Sequence, residues 1–202
     1  MNAYAVCKSM ITLSRKLLLA IVVLSVSAVC GCSSAPAMRH YSRADSDFSG
    51  IRKLAVFPFD ALNADEYSGE RLRRLVITEL LSRGYDVTEP GEVTNVMRAV
   101  LAERPRSMLT RDDVKRVAQQ LKVDAVITGA AEEYKWVNGL TVSYPEVSLS
   151  VNMLDARTGD IMWSAVHTSG GPSFATRHFG VEGKTLSDAA RVVVREAVSK
   201  IP

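Results

Sequence analysis

Few side chains in this chain have the type and spacing to attack, ligate or move protons. The three histidines are His40, His167 and His178, and none has a second histidine or a cysteine at metal-ligand spacing. No G-x-S-x-G elbow and no phosphate-cradling P-loop occurs. Glu132 and Glu133 are adjacent, and on a strand adjacent side chains face opposite ways, so they do not form an acid–base pair. Gly170-Gly171-Pro172-Ser173 lacks the strand–turn–helix setting of a phosphate site and reads as a loop, as does His178 between Arg177 and Phe179. A hydrolase or sugar-binding module would need a deep polar pocket near His178 and Glu182. No catalytic residue, metal or cofactor is expected, and the remaining reactive groups are thiols.

All three cysteines, Cys7, Cys30 and Cys32, lie in the first 32 residues. Lys8, Arg15 and Lys16 precede an apolar run from Leu17 to Val29, the layout of a secretory signal peptide. Diluted by Ser25 and Ser27, that run falls short of the about 20 apolar residues a spanning helix needs. Val29-Cys30-Gly31-Cys32 resembles the bacterial lipobox, in which the last cysteine is diacylated and becomes the first residue. Cleavage before Cys30 would put Val29 where a small residue belongs, so Cys32 is the expected lipid attachment. Several acyl chains on one residue suffice for stable anchoring. Ser33 after the cysteine favours the outer membrane, by resemblance to enterobacterial sorting.

Of 25 basic residues, Lys8, Arg15 and Lys16 leave with the signal peptide, so 22 remain against 22 acidic ones. A domain without basic surplus lacks the footprint for nucleic acid. With every cysteine at or before the lipid site, no disulfide can staple the mature domain, and a hydrophobic core must hold it. Residues 1–31 are thus expected as signal peptide, 32–51 as lipidated cysteine and flexible tether, and 52–202 as one domain. The tether would reach at most ~60 Å stretched and roughly 23 Å relaxed.

The folded part reads β-α-β-α-α-β-β-β-α, an α/β domain with a mixed five-stranded sheet, an antiparallel hairpin half and about four helices. Leu54-Ala55-Val56-Phe57 is a continuous apolar run, as for a buried central strand. Leu72, Leu75, Val76 and Leu80 recur at helical spacing, with Arg71, Arg73 and Arg74 opposite and Gly84 as the stop. Tyr85–Thr88 is a short strand. Val93, Val96, Met97, Val100 and Leu101 mark a second helix ended by Pro105. Thr110 and Asp113 open a third in a capping box, with Val114, Val117, Ala118 and Leu121 inward. Thr185 and Asp188 do the same for the last, with Leu186, Ala189, Ala190, Val193, Ala197 and Ile201 inward.

Val123–Val137 and Leu140–Asp155 flank Asn138-Gly139, a strong hairpin signal. Val147, Leu149, Val151 and Met153 alternate with polar residues. Simple pairing across the turn would bury Asp124, so a β-bulge near Pro145 is expected, with partners Ala131, Gly129, Ile127 and Ala125. Gly159 closes a second turn at positive φ before the last strand, Ile161–Val166. The outer hairpin carries Tyr134, Trp136 and Tyr144, and the Gly-rich 169–183 loop carries Phe174 and Phe179. These five are the candidate partner-binding residues, packing within the domain being the alternative.

The order of Leu54-Ala55-Val56-Phe57-Pro58-Phe59, Gly84-Tyr85-Asp86-Val87, Leu121–Gly129 and Leu154–Trp163 resembles the superfamily of the curli-secretion channel CsgG, the synthase activator LpoB and the TolB amino-terminal domain, over roughly 52–200. The resemblance implies an envelope lipoprotein of this fold and carries over no functional residue. A secretion channel needs further long amphipathic hairpins, and a synthase activator a longer tether than this one. The expectation is a non-enzymatic, outer-membrane lipoprotein facing the periplasm, docking another envelope protein or further copies of itself. Trp136→Ala should then weaken docking without unfolding the domain.

Overall fold

The computed structural model describes residues 38–102, 109–139, 142–171 and 184–202. Seven strands and four helices occur among them: β1 (Arg39–Ser42), β2 (Lys53–Val56), β3 (Asp60–Ala64), α1 (Ser68–Ser82), β4 (Asp86–Val87), α2 (Pro90–Val100), α3 (Arg111–Leu121), β5 (Ala125–Asn138), β6 (Ser143–Asp155), β7 (Ile161–Ser169) and α4 (Leu186–Val198). The sheet runs β1-β7-β6-β5-β2-β4, and β3 pairs with β5 beyond the end of β2. β2 is parallel to β4 and β5, whereas β5, β6, β7 and β1 are successively antiparallel.

The mixed α/β class holds, and the sheet gains two strands over the five expected. β3 continues the chain after Pro58, which has no N–H for a ladder. β1 lies within the stretch read as tether, where it pairs with β7 from Arg39↔Val166 to Ser42↔Trp163. Its four side chains are all exposed, so backbone hydrogen bonds rather than burial hold it.

β2 is buried on both faces because helices cover both. On one side Leu54 and Val56 join Ile127, Leu149, Met153 and Trp163 under Leu72, Val76 and Leu80 of α1 and Ala189, Val193 and Ala197 of α4. On the other, Ala55, Phe57 and Val126 pack under Val93 of α2 and Val114, Val117 and Leu121 of α3. The Trp163 indole is fully buried and donates to the Lys200 carbonyl at 3.0 Å, fastening β7 to the chain after α4.

Local signals at the helix ends act as read. Both capping boxes form, Thr110 with Asp113 and Thr185 with Asp188. Gly84 and Gly159 take φ of 85° and 72°. α2 ends at Val100, and Pro105 lies outside the described residues. One helix position differs: Arg73 is buried instead of sharing the polar face with Arg71 and Arg74.

The hairpin register also differs. Met153, Val151 and Leu149 face Ile127, Gly129 and Ala131, two residues along β5 from the expected partners. The register shift falls between Ala131 and Glu133, not near Pro145. The last pair is Asn138↔Ser143, so the connection spans 139–142 rather than Asn138-Gly139 alone, and Gly139 N–H donates to Val142 O. Asp124 stays out of the core, its Oδ2 accepting from the Arg52 and Lys53 backbone N–H groups at 2.9 and 2.8 Å.

Candidate functional site

The bulge at Glu132 decides which face each hairpin side chain takes. Before it, Ala131 and Leu149 point to the α1/α4 side; after it, Tyr134 and Val147 do. Two residues on, Trp136 opposite Pro145 shares that side, while Lys135 opposite Glu146 and Val137 opposite Tyr144 take the other. The expected aromatic trio is therefore split. Tyr134 is core, 8% exposed, with the Arg71 guanidinium 5.7 Å from its ring centre. Trp136, 51% exposed, projects beyond α1 and α4. Tyr144 is half-buried on the opposite face. Cys32, Phe174 and Phe179, and with them His178 and Glu182, lie outside the described residues.

The face that Tyr144 shares is covered only in part. α2 and α3 pack over β2 and the start of β5. Beyond them, the register places Thr128, Asn152, Ser164 and Tyr41 in one row across four strands, and Ala130, Ser150, Val166 and Arg39 in the next. Among the described residues no helix covers these rows. Ser148 and Thr168 follow, their hydroxyls 2.8 Å apart. The result is a small-residue, hydroxyl-rich surface on which Tyr41 and Val166 stand out, 56% and 46% exposed. Sequence reasoning missed this surface because it depends on β1 and on where α3 stops. The polar alternation of β6 was its one signal.

The charged groups here are tied to each other. Lys135 Nζ lies 2.6 Å from Glu133 Oε2, and that contact raises the Lys135 pKa above its ordinary value, burial opposing. The bulge breaks alternation at Glu132–Glu133, so facing does not separate those carboxylates; Glu133 is held instead in a surface ion pair and by Asn63 Nδ2 at 3.5 Å. His167, 6% exposed on the helix side, has Nε2 2.5 Å from Glu196 Oε2. Neither ring nitrogen of His167 has a hydrogen-bond partner of good geometry among the described residues. An open cleft of about 620 Å³ along α3 is lined by Asp112, Lys115, Arg116, Lys122 and Arg157 among others. Asp112, Asp113 and Asp155 offset three of those cations.

Among the described residues no His, Cys, Asp and Glu side chains group to hold a metal. No helix there is long and apolar enough to cross a membrane.

No family model and no curated protein matches the chain. Among solved structures it is similar to a PelC dodecamer from Paraburkholderia phytofirmans, 19% identical over 81% of this chain and 95% of that one, with a TM-score of 0.57. It is also similar to lipoprotein GNA1162 from Neisseria meningitidis, 18% identical over 74% and 99%, TM-score 0.49. The LpoB C-terminal domain from Salmonella enterica is 15% identical over 60% and 86%, TM-score 0.42. The likeness to the PelC structure shows a shared fold.

Proposed function

We propose that this chain is a bacterial envelope lipoprotein, anchored by lipid on Cys32 to the outer membrane and facing the periplasm, which docks protein partners in envelope or surface-structure assembly and catalyses no reaction. The observation that carries this reading is the sheet face that no helix covers among the described residues. A hydroxyl-rich surface across β1, β7, β6 and β5, punctuated by Tyr41, Val166 and Tyr144, offers broad contact area and no concentrated reactive group. The fold shared with a protein crystallised as a dodecamer supports further copies of this chain as one partner class. Phe174 and Phe179 belong to the same proposal as contacts from the 169–183 loop.

The test has two parts. Mass analysis of the mature N-terminal peptide reads acylation of Cys32, and Cys32→Ser should release the protein from membranes. A photo-crosslinking side chain at Val166, with one at Arg98 on α2 as control, should trap partners from the first position and not the second. Equal yields from both positions refute the docking face.

A further inference from the structure

β1 forms one edge of the sheet and pairs with β7 alone among the described residues. Its hydrogen-bond phase follows from one contact. The Arg43 N–H donates to the Met162 carbonyl at 2.8 Å, the residue opposite it in the same antiparallel register. Opposite residues exchange both bonds at every second position, so Tyr41 and Arg39 also turn their backbone groups to β7. The other strands agree. Ala156 N–H donates to the Asp124 carbonyl, which sets Leu154, Asn152 and Ser150 toward β5. Met153, Val151 and Leu149 then bond to β7, which leaves Ser164 and Val166 for β1. The N–H and C=O groups of Met38, His40 and Ser42 therefore point out from the sheet, an open edge whose side chains on β1 are all exposed.

We propose that this edge pairs antiparallel with β1 of a second copy of the chain, about a two-fold axis at His40. The inference rests on the docking reading above and names one partner, seated at the rim of that sheet face. Two-fold registers centred on Arg39, His40 or Tyr41 keep the pairing ahead of the turn in which Ser46 N–H donates to the Arg43 carbonyl. Centred on Arg39, two guanidiniums oppose each other. Centred on Tyr41, Arg39 opposes Arg43 of the second copy, where Asp160 already serves both Arg43 and Arg111. Like charges directly opposite destabilise a strand pair. Centred on His40, Arg39 meets Tyr41 of the second copy and Tyr41 meets its Arg39. Both are non-hydrogen-bonded pairs, where side chains stand closest, and each brings a cation to a ring. His40 bonds to its counterpart, and Met38 to Ser42, across the axis. The charge that guards a bare edge is thus matched by the edge's own sequence. The axis stands perpendicular to the sheet, so the hydroxyl-rich faces of the two copies join on one side. Met38–Ser42 is far less than the about 20–30 residues a side of a standard interface, so the pairing is weak in dilute solution.

Cysteine cross-linking reads the register. About the His40 axis the two His40 Cα atoms stand about 5.5 Å apart, inside the about 4.4–6.8 Å that a disulfide bridges. The two Tyr41 Cα atoms stand about 8 Å apart, outside it. The full chain, in the membranes of the cells that make it, is oxidised with copper phenanthroline and run unreduced. The proteins compared are the parent, His40→Cys, Tyr41→Cys and Arg98→Cys on α2. The proposal requires at least about tenfold more dimer from His40→Cys than from any of the others. Adding Ser42→Pro removes an outward N–H and spares the β1–β7 ladder, so it should abolish that dimer without lowering the melting temperature. No dimer from His40→Cys, or equal dimer from any other protein, overturns the inference and leaves cross-linking at Val166 to judge the docking reading. His40→Cys joined only to a different protein overturns it too, as does a dimer that survives Ser42→Pro in a folded chain. Should Ser42→Pro fail to fold, the contrast between His40 and Tyr41 decides.

Discussion

The Arg73 guanidinium closes the ladder that β2 leaves open: its Nε and Nη2 donate to the Val56 carbonyl at 3.0 and 2.8 Å. β4 is only two residues long and pairs with Lys53 and Leu54, so the Val56 oxygen has no strand partner on that edge. Nη2 also reaches the Pro90 carbonyl at 3.4 Å and Nη1 lies 3.3 Å from Glu70, joining β2, α1 and the start of α2 through one side chain.

Arg73→Met should therefore cost about 2–3 kcal/mol, because a buried carbonyl is left without a donor. Arg73→Lys should recover little of it, since one ammonium cannot reproduce the fork. Denaturant midpoints of the three proteins check this; a Met variant as stable as the parent would show that water replaces the guanidinium.

At Gly69 the first turn of α1 passes so near β3 that a Cβ would collide with the Phe59 carbonyl oxygen. Both partners are backbone, so neither can swing aside. Gly69→Ala should destabilise the domain by about 3 kcal/mol or more, read as a fall in Tm against Gly91→Ala, where a Cβ meets open space.

Tyr134 and Trp136 are two residues apart on one face, and their truncations should differ. Tyr134→Ala removes a core ring and should cost about 3–5 kcal/mol by analogy with other buried aromatics. Trp136→Ala should stay within about 0.5 kcal/mol of the parent, as for an exposed site. Thermal melts of the two variants separate a packed hairpin base from an exposed tip.

The Asp188 carboxyl is held below its ordinary value, chiefly by the Thr185 hydroxyl and then by the Thr185 backbone N–H. A carboxylate whose folded pKa is depressed contributes stability that is full above its unfolded value and drains as pH falls through the folded one. The N-terminal turn of α4 should loosen below about pH 4. Asp188→Asn should flatten that part of the profile. Amide exchange at Thr185 and Asp188 across acid pH follows it.

The helix caps and apolar stripes were readable because each is a local pattern. β1 was not: Arg39-His40-Tyr41-Ser42 buries nothing, and its place depends on β7, more than a hundred residues later. β3, Asp60-Ala61-Leu62-Asn63-Ala64, is likewise held through its pairing with β5. The hairpin register failed for a different reason. A strand's apolar pattern has period two, so it fixes pairing only up to a shift of two, and both solutions keep Val147, Leu149, Val151 and Met153 inward. The wider turn and the bulge at Glu132 chose between them. Arg73 was hidden by Arg71 and Arg74, whose company made a buried guanidinium look like part of a wet face. For the candidate site, Trp136 was legible by type, whereas its separation from Tyr144 was not, because facing beyond a bulge cannot be read from spacing.

The pairing of β1 with β7 also orders events in time. Neighbouring strands β5, β6 and β7 can zip by short-range contacts, whereas β2 must wait for β5 and β1 for β7. A chain emerging amino-terminus first can pair β2 with β4 early and with β5 next, whereas β1 finds its partner β7 only in the last third. The edge of β5 meanwhile stands unpaired as a template for other strands. Folding speed and resistance to aggregation should therefore respond more to changes in the late β6–β7 pairing than to changes of equal burial in β2.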